Sequence, residues 1–209
     1  MAELDLHSAM ESHFLRFFED FNYEKSFSKP VFRQEGTECK KMIFLNIADY
    51  QDGLMIEFML GISHATIEYQ LSELLGKQMH LSQNFTFHQY ASALDNSLPR
   101  RSFLFVTESP EHYYLQMESF FVNTGFYWLD EFSNCKKLSD MLALSLVKGE
   151  MVHMKLNYSV IRSLLLKRQL GEKITEDLFY TYLELMQEKG LPDDEIEHYE
   201  QLKKYFLSC

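Results

Sequence analysis

Residues 42–62 read MIFLNIADYQDGLMIEFMLGI. Two apolar, partly β-branched runs, Met42 to Ala48 and Leu54 to Ile62, flank the polar segment Asp49 to Gly53. Such runs suit a pleated, half-buried surface, and Asp-Gly between them is a strong hairpin signal. The stretch therefore predicts an antiparallel pair of strands. Upstream, Phe27, Lys29, Val31 and Arg33 alternate with Ser26, Ser28, Pro30 and Phe32. Pro30 has no N–H for a ladder, which predicts an edge strand there. Glu35-Gly36-Thr37 predicts a turn, so three strands form a meander. Leu6, Met10, Phe14, Phe17, Phe18 and Phe21 recur at helical spacing over residues 5–21, which predicts a helix able to cover that sheet.

Downstream, Ile67, Leu71, Leu74 and Leu75 predict a short helix over 65–76, ended by Gly76. Phe85 to Phe87 and Arg101 to Thr107 predict two further strands around a polar loop at 92–99. From residue 109 the period is helical. Ser109-Pro110-Glu111 resembles a helix start with a hydroxyl cap, and Gly125 is expected to interrupt that helix. Further helices are predicted over Met141 to Val147, Ser159 to Leu170 and the stripe from Ile174 to Met186. A last one follows Pro192, where Asp194 and Glu197 have capping-box spacing. The fold class is α+β: a mainly antiparallel sheet of four to five strands in the N-terminal half, packed with a helical C-terminal half. One domain over 1–209 is the preferred division, with an internal boundary near 108 (1–108 sheet-rich, 109–209 all-helical) as the alternative.

Composition narrows the function classes. The 209 residues carry 20 basic and 31 acidic side chains, a net −11 with neutral histidine. Such a chain repels nucleic-acid phosphate at long range, so no nucleic-acid partner is expected. No apolar run reaches the roughly 20 residues that span a bilayer, and the N-terminus lacks signal-peptide regions. A cytoplasmic protein with no membrane partner is expected. Cys39, Cys135 and Cys209 are odd in number and far apart, which argues for reduced thiols rather than a disulfide framework.

No catalytic or metal motif stands out. HExxH, GxSxG, GxGxxG and the P-loop are absent. His7 and His13 point about 240° apart on one helix and make no ligand pair. His80 and His88 flank an expected strand, His64 follows a strand end, and His112, His153 and His198 have no ligand-type partner at i+3 or i+4 except nearby glutamates. Glu108/Glu111, Asp130/Glu131 and Asp49/Asp52 read as solvated acids, and the basic doublets are short and dispersed. No cofactor, no metal and no catalytic residue are assigned. An enzyme with a scattered site, using His64, His88 and Glu57 in a groove between sheet and helices, is the alternative. A homo-oligomeric scaffold, with the aromatic cluster at 120–128 as a homodimer interface, is a third reading.

Charge distribution is more informative. Residues 171–200 hold ten acids against two lysines, a local −8. Apolar stripes on the same helices force these acids outward. The expected partner-binding residues are Glu184, Glu188, Asp193, Asp194, Glu195, Glu197 and Tyr199, with a basic protein as partner.

The first 64 residues carry a resemblance. An aromatic helix ends in Phe17-Phe18-Glu19-Asp20-Phe21, a short strand ends in Phe32-Arg33, and a strand pair closes on Glu57 to Ile62. This layout resembles small bacterial immunity proteins that partner secreted toxins. The resemblance implies a non-enzymatic cytoplasmic protein that neutralises a basic toxin or effector domain by direct binding.

Overall fold

A computed structural model of the chain describes residues 6–26, 31–36, 38–76, 85–149 and 155–208. The strand expected around Pro30, the turn residue Thr37, and His80, His153 and Cys209 lie outside these residues. The chain gathers into two compact units, Met1–Ser63 with Phe87–Ser133 and His64–Thr86 with Asn134–Cys209. It changes unit at 63/64, 86/87 and 133/134, and stays within the first unit at 108.

The first unit holds the antiparallel sheet: β1 (Glu24–Lys25), β2 (Val31–Gln34), β3 (Lys40–Tyr50), β4 (Gly53–Ser63), β5 (Phe87–Tyr90) and β6 (Ser102–Phe105). Strands β1 to β5 lie in sequence order, and β6 pairs with the first half of β4 while β5 pairs with its second half. The sheet gains its sixth strand from the two-residue β1. That strand, not β2, is the edge, since β2 pairs with both β1 and β3.

The β3–β4 hairpin forms as the sequence indicates, with Tyr50 opposite Gly53. Its two connecting residues are Gln51 and Asp52, neither at positive φ. Gly53 is thus the first residue of β4, not the left-handed turn residue that Asp-Gly usually provides. Its reason is a close approach: a Cβ there would lie 2.1 Å from the Leu104 carbonyl oxygen of β6.

Successive side chains point to opposite faces of the sheet, and the central strand β4 is buried along most of its length. Leu54, Ile56, Phe58, Leu60 and Ile62 of β4 are buried, opposite Ile43 and Leu45 of β3. Helix α1 (Leu6–Asp20) covers that face with Met10, Phe14 and Phe18, all fully buried. Each such side chain contributes about 1.5–3 kcal/mol on burial. The covering continues through α4 (Glu111–Phe120), a π-helical turn (Phe121–Gly125) and α5 (Phe126–Phe132). Phe121 meets Phe18 at 4.8 Å and Phe58 at 5.3 Å between ring centroids. The helix passes through Gly125 by a π turn instead of breaking. A Cβ on this buried glycine would lie 2.9 Å from Phe121 and 3.2 Å from Leu60. Ser109 does not cap α4, because Pro110 occupies the N-cap position without a side-chain bond.

The second unit is helical: α2 (Ala65–Leu75), α6 (Cys135–Lys148), α7 (Leu156–Gln169), α8 (Glu176–Glu188), α9 (Asp193–Gln201) and α10 (Lys203–Leu207). The remaining short helix, α3 (Ala91–Leu94), belongs to the first unit. Helix α6 begins six residues before Met141, because Asn134 caps it by accepting from the Lys137 N–H at 3.1 Å. Helix α7 buries Val160, Ile161, Leu164, Leu165 and Leu166 around most of its circumference, the mark of a central helix. Thr175 caps α8 through the Leu178 N–H. The capping box expected at Asp194 does not form: Pro192 is the N-cap of α9, and Asp194 is already inside the helix.

Among the described residues, no helix is long and apolar enough to cross a membrane.

Candidate functional site

Six of the seven expected partner-binding residues lie at the surface of the second unit, and one does not. Tyr199 is 1% exposed, donates its hydroxyl to the Phe179 carbonyl at 3.1 Å and stacks on the Phe179 ring at 4.4 Å. It belongs to the core, and the partner-binding set loses it. The apolar spacing of Ile196, Tyr199, Leu202 and Phe206 already marks an inward stripe on the last helices, and Tyr199 follows that stripe rather than the acids beside it.

The acids sort by helical angle, at about 100° per residue. On α8, Asp177, Glu184 and Glu188 follow one exposed line, opposite buried Phe179, Tyr182, Leu183 and Met186. On α9, Asp193, Glu197 and Glu200 form a second exposed line. Asp194 and Glu195 lie on the other side of α9, with His198. The patch that sequence places on one face is therefore split in two on α9.

Most of these carboxylates are uncompensated. Lys136 at 2.6 Å and Lys167 at 3.0 Å hold Glu172, and those contacts keep its carboxyl below the usual range. Lys203 reaches Glu176 at 3.5 Å. Among the described residues, no cation pairs with the other eight acids of 171–200. Helix dipoles account for part of this, because Glu176, Asp177, Asp193, Asp194 and Glu195 occupy first turns. They do not account for Glu188 and Glu200, which sit at helix C-terminal turns where a negative charge costs stability.

The inner side of α9 lines a cleft of about 190 Å³ with Leu75, Asn157, Tyr158, Ile161, Asp194, Glu195, His198 and Tyr199. His198 Nε2 donates to the Leu74 carbonyl at 3.1 Å, satisfying one of the open carbonyls at the end of α2. A carbonyl only accepts, so Nε2 carries the hydrogen. Asn157 is 8% exposed and its Oδ1 accepts from the Tyr158 N–H at 2.8 Å.

Other sequence candidates go elsewhere. Glu57 on β4 is nearly buried and accepts from Arg100 Nε and Arg101 Nε, both at 3.3 Å. His88 faces Gly61 on the same strand, four residues along and about 13 Å away by strand rise. Glu57 and His88 therefore form no joint acid–base pair. His64 belongs to the second unit, where it is buried and its N–H donates to Thr86 Oγ1 at 2.9 Å. The aromatic cluster at 120–128 is mostly core: Phe120, Phe121 and Trp128 are buried, and only Tyr127 is largely exposed, at 70%.

Sequence reading missed two arrangements made by distant residues. Glu68 and Arg162 form a buried two-pronged ion pair, Nε to Oε1 at 2.8 Å and Nη2 to Oε2 at 2.6 Å, with Thr86 donating to Oε1 at 2.9 Å. In the first unit, His13 stacks on Tyr114 at 3.6 Å and its Nε2 lies 2.7 Å from Glu118 Oε1. Arg16, Phe17, Phe21 and these three residues line an open groove of about 720 Å³. The only signal for it was the pair of histidine and arginine at i, i+3 on α1.

Compared with protein-family models, curated proteins and solved structures, the chain matches none of them.

Proposed function

We propose that the chain is a non-enzymatic binding protein that receives a basic protein partner on the acidic helices of its second unit. One observation carries this: eight carboxylates of 171–200 lack a cation among the described residues, and two of them, Glu188 and Glu200, sit where their own helices disfavour them. Folding does not reward those positions. An electrostatic docking surface does, by raising the encounter rate and rejecting acidic competitors. The resemblance of the first 64 residues supplies the partner class, a basic toxin or effector domain neutralised by having its active region covered.

The test compares the native chain with a variant carrying Asp193→Lys, Glu197→Lys and Glu200→Lys as bait in cell extract at low and high salt. The expected outcome is a stoichiometric basic protein that the native chain retains at low salt and the variant does not. Its measured association rate should fall by about ten-fold or more in the variant. An equal rate for both baits would overturn the site.

A second reading is favoured by the His13–Glu118 pair. A histidine held by a carboxylate over a groove of 720 Å³ has the form of a general base in a ligand-sized site. A small molecule that co-purifies with the native chain and is lost in His13→Gln would move the assignment to an enzyme.

A further inference from the structure

Leu54, Ile56 and Phe58 of β4 point to the face that α1 covers, so Gly53, Met55 and Glu57 point to the other. Strand pairing brings rings of β3 and β6 to that second face. Tyr50 and Phe105 flank Gly53, and Phe103 stands opposite Met55. The bare glycine leaves room between them, since a Cβ on Gly53 would lie 2.9 Å from the Phe103 ring. The rings close over the gap, Tyr50 to Phe103 at 5.8 Å and Phe103 to Phe105 at 4.9 Å between centroids. All three are exposed. Core packing does not account for exposed rings in mutual contact, and apolar groups clustered at a surface mark an interaction site.

A cationic group adjoins the rings. Arg100 and Arg101 both donate Nε–H to one oxygen, Oε1 of the nearly buried Glu57, at 3.3 Å each. Their Nε atoms therefore lie no further apart than twice that distance. Arg100 is also held with its guanidinium carbon 4.4 Å over the Tyr90 ring. One carboxylate opposes two guanidiniums, so the trio carries a single positive charge in a chain of −11. Each guanidinium has four further N–H hydrogens on its Nη atoms. Those of Arg101 have no partner among the described residues, and both side chains are half-exposed.

The charge of the trio calls for one carboxylate, and the rings call for an aromatic group beside it. Arg101 and Phe103 are two residues apart on an extended run, about 7 Å. An extended peptide with an acid and an aromatic residue two positions apart has the same spacing. A polynucleotide also combines rings with anions, but the net charge of the chain repels a polyanion. Nor does a partner strand find the Phe105 N–H open, because Glu108 already accepts from it. The contact is one of side chains, and Tyr, Phe, Met and Arg are the types enriched at the centre of protein interfaces. We infer that this face of β3, β4 and β6 docks an extended acidic and aromatic segment of a protein partner. Its carboxylate spans the Nη groups of Arg100 and Arg101, and its ring packs on Phe103. This goes beyond the docking reading above: it lies in the first unit, and its charge is opposite in sign.

The test titrates the full chain with acetyl-Phe-Thr-Glu-Thr-Phe-amide, with the same peptide carrying glutamine for the acid, with the same peptide carrying alanine for both rings, and with a single-stranded oligothymidylate. Binding is read from the Nε–H signals of Arg100 and Arg101 and the ring signals of Phe103. The acidic aromatic peptide is expected to shift both sets saturably. The glutamine form should bind about ten-fold more weakly, and the alanine form about three-fold more weakly. Arg101→Gln and Phe103→Ser replace exposed groups. The first should remove most of the difference between acid and glutamine peptides, and the second most of the difference between aromatic and alanine peptides.

Equal binding of the acid and glutamine peptides to the native chain would overturn the proposal. So would acid-peptide binding that Arg101→Gln leaves unchanged. Oligothymidylate binding more tightly than the acidic peptide at matched salt would overturn the partner class in favour of single-stranded nucleic acid. None of these readouts involves Asp193, Glu197 or Glu200, so failure here leaves the acidic surface of the second unit standing.

Discussion

Glu68 and Arg162 are the residues on which the second unit depends most sharply. Both are buried, and each satisfies the other through two short hydrogen bonds. A buried pair of this kind adds little net stability over apolar packing, yet removing one partner strands a charge. Glu68→Ala should therefore cost about 3–5 kcal/mol, measured by denaturant unfolding. Replacing both with Met and Leu should recover most of that loss. Tyrosine burial makes a second residue-scale prediction. Burial, then the neighbouring Tyr182, holds the Tyr199 phenol far above its usual range, and burial does the same for Tyr23 and Tyr113. The folded state keeps these protons longer than the unfolded chain does. Their contribution is complete below about pH 10, the unfolded value, and is lost as pH rises beyond it. Thermal stability should fall steeply above about pH 10 together with rising phenolate absorbance. Tyr199→Phe should make that fall shallower. Ionisation of all phenols before any unfolding would refute this.

At the scale of elements, legibility followed periodicity. Helices α1 and α8 were readable because one buried face imposes a clean repeat on each, and the β3–β4 pair because two apolar runs flank Asp52-Gly53. Boundaries were not readable where a distant contact set them. Gly53 looked like a turn residue and is a glycine because β6 passes over it. Gly125 looked like a break and is a glycine because Phe121 and Leu60 press on it. Of the candidate site, the outward acids were readable from charge alone. The inward stripe of Ile196 and Tyr199 was readable too, whereas the partners of Tyr199 on Phe179 needed the neighbouring helix. Strand β6 carries its own prediction. Val106 N–H donates to the Asp52 carbonyl of the hairpin, so by antiparallel alternation residues 103 and 105 turn their backbone groups away from β4. Glu108 closes half of that edge: its carboxylate accepts from the Phe105 N–H at 3.1 Å, and its N–H donates to the Phe105 carbonyl at 3.0 Å. With Phe103 and Phe105 exposed beside it, Glu108→Ala should open an adhesive edge. Light scattering should then grow with protein concentration, and an unchanged monomer would refute the blocking role.

For the whole molecule, the −11 charge is unevenly spread, and residues 171–200 carry −8 of it. The field that attracts a basic partner is screened over about 10 Å at 0.1 M salt. Association should therefore slow markedly between low and physiological salt, while dissociation changes little. Stopped-flow rates at several salt concentrations separate the two, and a salt-independent association rate would contradict electrostatic docking. The division of the chain into two units has a consequence for its synthesis. Helix α2 leaves the ribosome before the rest of its own unit, and Arg162 follows Glu68 by 94 residues. At about 5–20 residues per second, Glu68 waits roughly 5–20 s for its counter-charge. During that interval the first unit can close, since its last residue is Ser133, while α2 stays tethered to it with Ile67 and Leu71 uncovered. The nascent chain thus passes through a stage in which half of its architecture is finished and one helix is held in reserve, which makes this helix the natural point of call for a chaperone.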